Sequence, residues 1–190
     1  MAQSQTSESG WSRVVLVTGP ARSGKSEWAE RLAAASGRSV IYVATSYLDP
    51  QDQEWADRVA QHRQRRPETW QNWEVPLELA AALGQAPADS CLLVDSLGTW
   101  VANWLDRPDP EWQQTCEALL ATCAALPAMC IFVAEETGWG VVPAFPAGRL
   151  FRDRLGKLVR ELGSRSDACY LVTAGFAVNL RAIGQSLTTG

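Results

Sequence analysis

The sequence predicts an α/β fold in three layers, a mostly parallel sheet with helices on both faces. Three observations predict it. Five short apolar runs recur along the chain, and they are continuous rather than alternating, as in strands buried on both faces. Helical patterns lie between them, giving the strand–helix alternation of a parallel sheet. A glycine-rich loop leads from the first run straight into the first helical pattern.

The runs are Val14–Val17, Ser39–Val43, Cys91–Val94, Met129–Val133 and Ala168–Val172. Lys25 to Ser36 is rich in Ala, Glu, Leu and Arg and stops at Gly37, a plausible C′ glycine. Asp52 to Arg65 is a polar amphipathic helix ending before Pro67, and Leu77 to Leu83 is a short one. Pro110 to Leu126 opens with proline near N1 and stops before Pro127. Gly148 to Ser164 is long and basic on one face. The stretches Asp106–Pro110 and Pro143–Pro146 read as loops. No repeat or low-complexity segment is present.

With 190 residues the chain suits one domain, expected over residues 13–190 behind a disordered polar tail, 1–12. That tail has neither a basic nor an apolar region of a secretory signal. A net charge of −4 gives no electrostatic reason to expect nucleic acid as a partner. No apolar run approaches the roughly 20 residues of a membrane span. The five cysteines, Cys91, Cys116, Cys123, Cys130 and Cys169, form no C-x-x-C pair. An odd, scattered set points to reduced thiols in a cytoplasm and to small core side chains. Most of the nine tryptophans are expected in the core or at interfaces.

The loop Gly19-Pro20-Ala21-Arg22-Ser23-Gly24-Lys25-Ser26 is a full phosphate-binding (P-loop) pattern in its strand–loop–helix context. Glycines let successive N–H groups turn toward phosphate oxygens, and the helix N-terminus adds partial positive charge. Lys25 is expected at the β- and γ-phosphates of ATP or GTP, and the Ser26 hydroxyl on Mg²⁺. Pro20 offers no N–H and must stand where none is needed. Asp95 closes the third apolar run and suits the carboxylate that holds magnesium or its waters, in preference to the alternative of an Asp that merely caps a turn with Ser96.

His62 is the chain's single histidine. It stands in Gln61-His62-Arg63-Gln64-Arg65-Arg66-Pro67, one turn beyond Arg58. Guanidinium groups pair bidentately with phosphate, and a neutral imidazole beside a triphosphate can attack phosphorus. Spacing alone leaves two readings open, a solvated basic face or a nucleophile.

These pieces together resemble the bifunctional adenosylcobinamide kinase / adenosylcobinamide-phosphate guanylyltransferase family of cobalamin biosynthesis. The resemblance rests on Val17-Thr18-Gly19 through Ser26, Tyr42-Val43-Ala44-Thr45-Ser46, and His62-Arg63 through Pro67 with Trp70 and Glu74. It continues through Leu93-Val94-Asp95-Ser96-Leu97 with Trp100 and Asn103, Glu136-x-Gly138-x-Gly140-x-Val142-Pro143, and Phe151-Arg152-Asp153. The matching pieces span roughly Val14 to Gly175. The P-loop is generic, whereas the histidine–arginine string and the Gly-x-Gly-x-Val-Pro string are specific.

The resemblance implies a RecA-like core and a homo-oligomer, a trimer, in which a partner subunit helps complete the corrinoid site. It implies phosphorylation of adenosylcobinamide by ATP or GTP, then transfer of GMP from GTP to adenosylcobinamide phosphate through a guanylyl-histidine. His62 occupies the nucleophile's position. Ala44, Thr45, Ser46, Arg63, Gln64, Arg65, Arg66, Glu74 and Asp95 occupy nucleotide-contact positions. The chain departs from the family at Pro20, at Glu135 (often Asn), and over Ala144–Gly148 after the Val-Pro pair. The P-loop by itself also fits a small-molecule kinase without a covalent intermediate, or a nucleotide-regulated binding protein.

Overall fold

A computed structural model of the chain describes residues 14–47 and 66–187. The expected polar tail and the expected helix Asp52–Arg65, with His62, Arg63, Gln64 and Arg65, lie outside the described residues.

All five apolar runs are strands, each slightly longer than the run that marks it: β1 (Val14–Gly19), β2 (Ser39–Ala44), β4 (Ser90–Asp95), β5 (Met129–Glu135) and β6 (Ala168–Thr173). Two further strands, β3 (Gln71–Glu74) and β7 (Phe176–Asn179), complete one sheet of order β3-β2-β4-β5-β1-β6-β7. Every pairing is parallel except β6 with β7. Both extra strands are edges, and this is why no apolar run marks them. Gln71, Asn72 and Glu74 are exposed and only Trp73 of β3 packs against the core, and a strand so sparsely covered needs no continuous apolar sequence. The β6–β7 hairpin turns through Ala174 (φ 50) and Gly175 (φ 82), a two-residue loop with both residues left-handed. That geometry suits the strand twist, but it lacks the usual Asn-Gly or Asp-Gly signature.

The helices are α1 (Lys25–Ala35), α2 (Leu79–Gly84), α3 (Leu97–Asn103), α4 (Asp109–Ala125), α5 (Pro146–Arg165) and α6 (Leu180–Ile183). Gly37 follows α1 with φ 69, as its C′ position expects. Both proline stretches read as loops run into helix starts, since α4 begins at Asp109 and α5 at Pro146, where a missing N–H costs nothing. No apolar run or recognised cap marks α3 in the sequence. It starts directly after β4, capped by Ser96, whose hydroxyl accepts from the Thr99 N–H at 3.3 Å, while the Thr99 hydroxyl accepts from the Ser96 N–H at 3.2 Å. The threonine replaces the Glu or Gln by which a capping box is recognised.

Two cores flank the sheet. α1 covers one face with Ala29 and Ala33 against Val15, Val17, Leu93, Ile131 and Val133. α2 to α5 cover the other through Leu79, Trp100, Trp112, Leu119, Leu155 and Leu158. Trp100 is fully buried and donates its indole N–H to the Leu77 carbonyl at 2.8 Å, so no donor is stranded. All five cysteines are free and buried. Burial pushes the thiols of Cys116 and Cys123 up to about 12 and that of Cys91 up to about 11, as befits inert core residues. Among the described residues no helix is long and apolar enough to cross a membrane.

One buried cation holds the second layer together. Arg154 on α5 is 5% exposed and donates to the carbonyls of Trp104 (2.7 Å) and Arg107 (2.9 Å) and to the Asp109 carboxylate (2.7 Å). It thereby clamps the turn between α3 and α4. Arg154→Ala is expected to lower unfolding free energy by about 3 kcal/mol, because a charged donor to half-buried carbonyls is lost. Asp109→Asn is expected to cost less than about 1 kcal/mol, since that carboxylate is mostly exposed. Urea denaturation of both variants checks the pair.

Candidate nucleotide site

The first strand places the phosphate loop. Gly19 ends β1 between β5 and β6. A Cβ there would run into the Val172 carbonyl and, at 2.7 Å, the Ser23 Oγ, so no side chain fits. Arg22 (φ 58) and Gly24 (φ 89) are left-handed, and the backbone curls over them into α1. Pro20 contributes through its carbonyl, which accepts from the Ser23 N–H at 3.3 Å and the Lys25 ammonium at 3.4 Å. Its missing N–H is therefore of no consequence, as the sequence requires.

The loop fits a phosphate chain. Lys25 is 9% exposed, with its ammonium turned back over the loop. The Ser23 hydroxyl is buried without a hydrogen-bond partner, an acceptor-seeking group in the cradle itself. Ser26 is in the first turn of α1, where the helix dipole favours anions. Ala21 and Arg22 stand exposed on the outer rim.

Asp95 ends β4, in register with Ala44 of β2 and Val133 of β5. Alternation from Cys91 and Leu93 puts its side chain on the α1 face, toward the helix that carries Ser26. The capping role weighed for it falls to Ser96. Tyr42 shares that face. Burial first, then the Asp95 carboxylate, push its phenol well above the usual range, with Arg66 opposing.

Arg66 is held inside the protein. Its Nε donates to Glu30 of α1 at 3.2 Å and its guanidinium lies 3.2 Å from the Tyr42 ring centroid. Thr45 is fully buried. Its hydroxyl donates to the Ser96 carbonyl (2.7 Å) and accepts from the Ser96 N–H (3.0 Å), while Asn103 donates to its carbonyl (2.7 Å). Thr45 thus braces the ends of β2 and β4. Ala44 and Ser46 flank it half-buried, and Glu74 is exposed at the end of β3, beside Ala44.

Two carboxylates escaped the sequence-based site. Glu136 accepts from the Thr18 hydroxyl at 2.8 Å and its N–H donates to the Gly19 carbonyl at 2.9 Å, tying the next loop to the cradle. The Oε2 of Glu135 is buried, has no hydrogen-bond partner, and occupies the place a Cβ on Gly98 would take. The available signal was positional, since both follow an apolar run as Asp95 does.

A family described as cobinamide kinase / cobinamide phosphate guanyltransferase matches residues 15–180. The chain belongs to this family. Among its relatives is the bifunctional adenosylcobalamin biosynthesis protein CobP of Pseudomonas aeruginosa, 44% identical over 168 residues, 87% of this chain and 96% of that protein. The Escherichia coli protein CobU, of the same description, is 34% identical over 185 residues, 88% of this chain and 99% of that protein. The chain is accordingly a bifunctional kinase and guanylyltransferase of cobalamin biosynthesis. The fold is similar to a type III secretion ATPase (TM-score 0.55, 12% identity, 92% of this chain and 59% of that one). It is also similar to the flagellar accessory protein FlaH of Methanocaldococcus jannaschii (TM-score 0.50, 13% identity, 91% and 81%). These likenesses concern the fold alone, helices on both faces of a mostly parallel sheet.

Asp95→Asn is expected to raise the magnesium concentration for half-maximal kinase activity at least about tenfold. Its melting temperature should shift by less than about 4 °C, the equivalent of under 1 kcal/mol. A magnesium titration beside a thermal melt checks this, and an unchanged titration assigns Asp95 a purely structural role.

Proposed function

We propose that both reactions run at the carboxyl edge of the sheet, with one nucleotide cradle and His62 as the covalent carrier of GMP. The observation that carries the reading is the cradle itself, Gly19 to Ser26, whose buried Lys25 stands on the face shared with Asp95.

In the kinase step the aminopropanol hydroxyl of adenosylcobinamide bonds to the γ-phosphorus of ATP or GTP. The bond to the β–γ bridging oxygen breaks, ADP or GDP leaves, and the hydroxyl's proton is released to water. Loop N–H groups and Lys25 stabilise the charge on the transferring group. Ser26 and Asp95 would hold Mg²⁺, which when bound neutralises phosphate charge. In the guanylyl step a His62 nitrogen bonds to the α-phosphorus of GTP and pyrophosphate leaves. A phosphate oxygen of adenosylcobinamide phosphate then displaces the imidazole, giving adenosylcobinamide-GDP. Arg63, Gln64 and Arg65 accompany His62, and Ala44, Ser46 and Glu74 border the nucleotide.

Two features support His62. It is the one imidazole in the chain. It is also four residues from Arg66, which is anchored beside α1, so the chain reaches no further than about 14 Å from that anchor. The chain would work in the cytoplasm as a single catalytic domain, residues 13–190, assembled as a trimer.

Lys25→Ala is expected to reduce kinase kcat by about a hundredfold or more, the weight of a donor aimed at developing charge. A full rate at saturating nucleotide would remove Lys25 from the transfer. For His62, protein incubated with GTP labelled at the α-phosphate should carry label that mild acid removes and alkali does not, the signature of a P–N bond. His62→Ala should lose label and guanylyl transfer while keeping kinase activity. Label persisting in that variant would exclude the histidine.

A further inference from the structure

Among the described residues, six of the eight large apolar side chains that stand exposed lie at the carboxyl edge of the sheet, Tyr47, Trp139, Val141, Val142 and Phe145 in loops and Phe176 at the start of β7. Four of them lie in the single loop between β5 and α5. Trp139 is 65% exposed, Val141 95% and Phe145 78%. Scattered exposed apolar residues are ordinary, whereas a cluster beside a reaction site marks a contact surface.

This loop is held in place at both ends. Glu136, at its start, is bonded to Thr18 and Gly19 of the cradle strand. At its end, Arg149 donates to the carbonyls of Pro143 (3.0 Å) and Ala144 (2.7 Å). Pro143 also sits where a Cβ on Gly148 would lie, 2.8 Å from it, so a glycine is needed for the loop to close on α5. The backbone is thus pinned while its apolar side chains point to solvent. Such an arrangement pre-organises a binding surface.

The acceptor matches it in chemistry and in place. A corrinoid is a broad, flat macrocycle with a methyl-studded rim, and its reacting hydroxyl hangs on a short arm. When that hydroxyl is at the γ-phosphate over Gly19 to Ser26, the macrocycle must lie on the adjoining edge. We propose that the loop Gly138–Phe145, through Trp139, Val141, Val142 and Phe145, is the platform on which the corrin ring of adenosylcobinamide rests. This rests on the kinase reading above and names the surface that holds its acceptor. The competing occupant is a second copy of the chain.

The test uses Trp139→Ala and Phe145→Ser, both at positions too exposed to threaten folding. Equilibrium dialysis of adenosylcobinamide, read by its own absorbance, gives Kd for wild type and variants. Corrinoid and nucleotide titrations of the kinase reaction give the two KM values, and sedimentation velocity gives the assembly state. Each variant is expected to raise Kd and KM for adenosylcobinamide about tenfold, the weight of one buried large apolar side chain, and to raise nucleotide KM far less. Corrinoid Kd and KM within twofold of wild type would overturn the proposal, and a smaller sedimenting species with that result would make the loop a subunit contact. Failure of the kinase reading would look different, since wild type itself would then not phosphorylate adenosylcobinamide.

Discussion

The close approach at Gly19 is the constraint around which the rest of the molecule is arranged. β1 is hemmed in by β5 and β6, and at its last residue the Val172 carbonyl and the Ser23 hydroxyl leave no room for a side chain. Only there can the chain bend inward sharply enough for Pro20 to receive the Ser23 N–H and the Lys25 ammonium. The central position of β1 follows from its sequence, which is apolar on both faces and buried throughout. A cradle on an edge strand would have a soft wall on one side. Here both walls are hydrogen-bonded strands, so the loop inherits the rigidity of the sheet.

The parallel sheet then gathers the chemistry. Every parallel strand ends at the same edge, so residues that close apolar runs become neighbours whatever their separation in sequence. Ala44, Glu74, Asp95, Glu135 and Gly19 are brought together this way by register alone. Thr45 shows what this convergence demands. The ends of β2 and β4 would splay without lateral ties, and its hydroxyl and carbonyl are fully engaged in joining them to Ser96, Thr99 and Asn103. A buried polar residue at such an edge contributes to the site by fixing its neighbours.

What could be read from the sequence follows from how each element is stabilised. The central strands and α1, α4 and α5 are specified by their own residues, through apolar runs, periodicity, Pro110 and Gly37, and they stand within two residues of where those signals put them. β3, β7 and α3 depend on neighbours. β3 is polar and is held by pairing with β2, β7 is held by a turn without the usual residues, and α3 is held by a Ser–Thr cap. The site divides in the same way. The curled loop after β1 and the place of Asp95 at the end of β4 were legible, because the strand–loop–helix pattern and the apolar run fix those positions. The burial of Arg66 was not, because a guanidinium beside other arginines reads as phosphate-seeking until Glu30 and Tyr42 are seen to surround it.

That burial also bears on the electrostatics of the whole edge. Arg66 lies 8% exposed against a carboxylate and an aromatic face, a setting in which a guanidinium is well accommodated and a free cation would not be. The Tyr42 ring beneath it faces Asp95, and burial first, then that carboxylate, push the phenol well above the usual tyrosine range. A neutral phenol can donate toward Asp95 without adding a second negative charge beside the cradle. The last arginine of the histidine segment and the carboxylate at the end of β4 are therefore linked through a single aromatic ring. The guanidinium at the end of that segment is thereby fixed to α1 and β2.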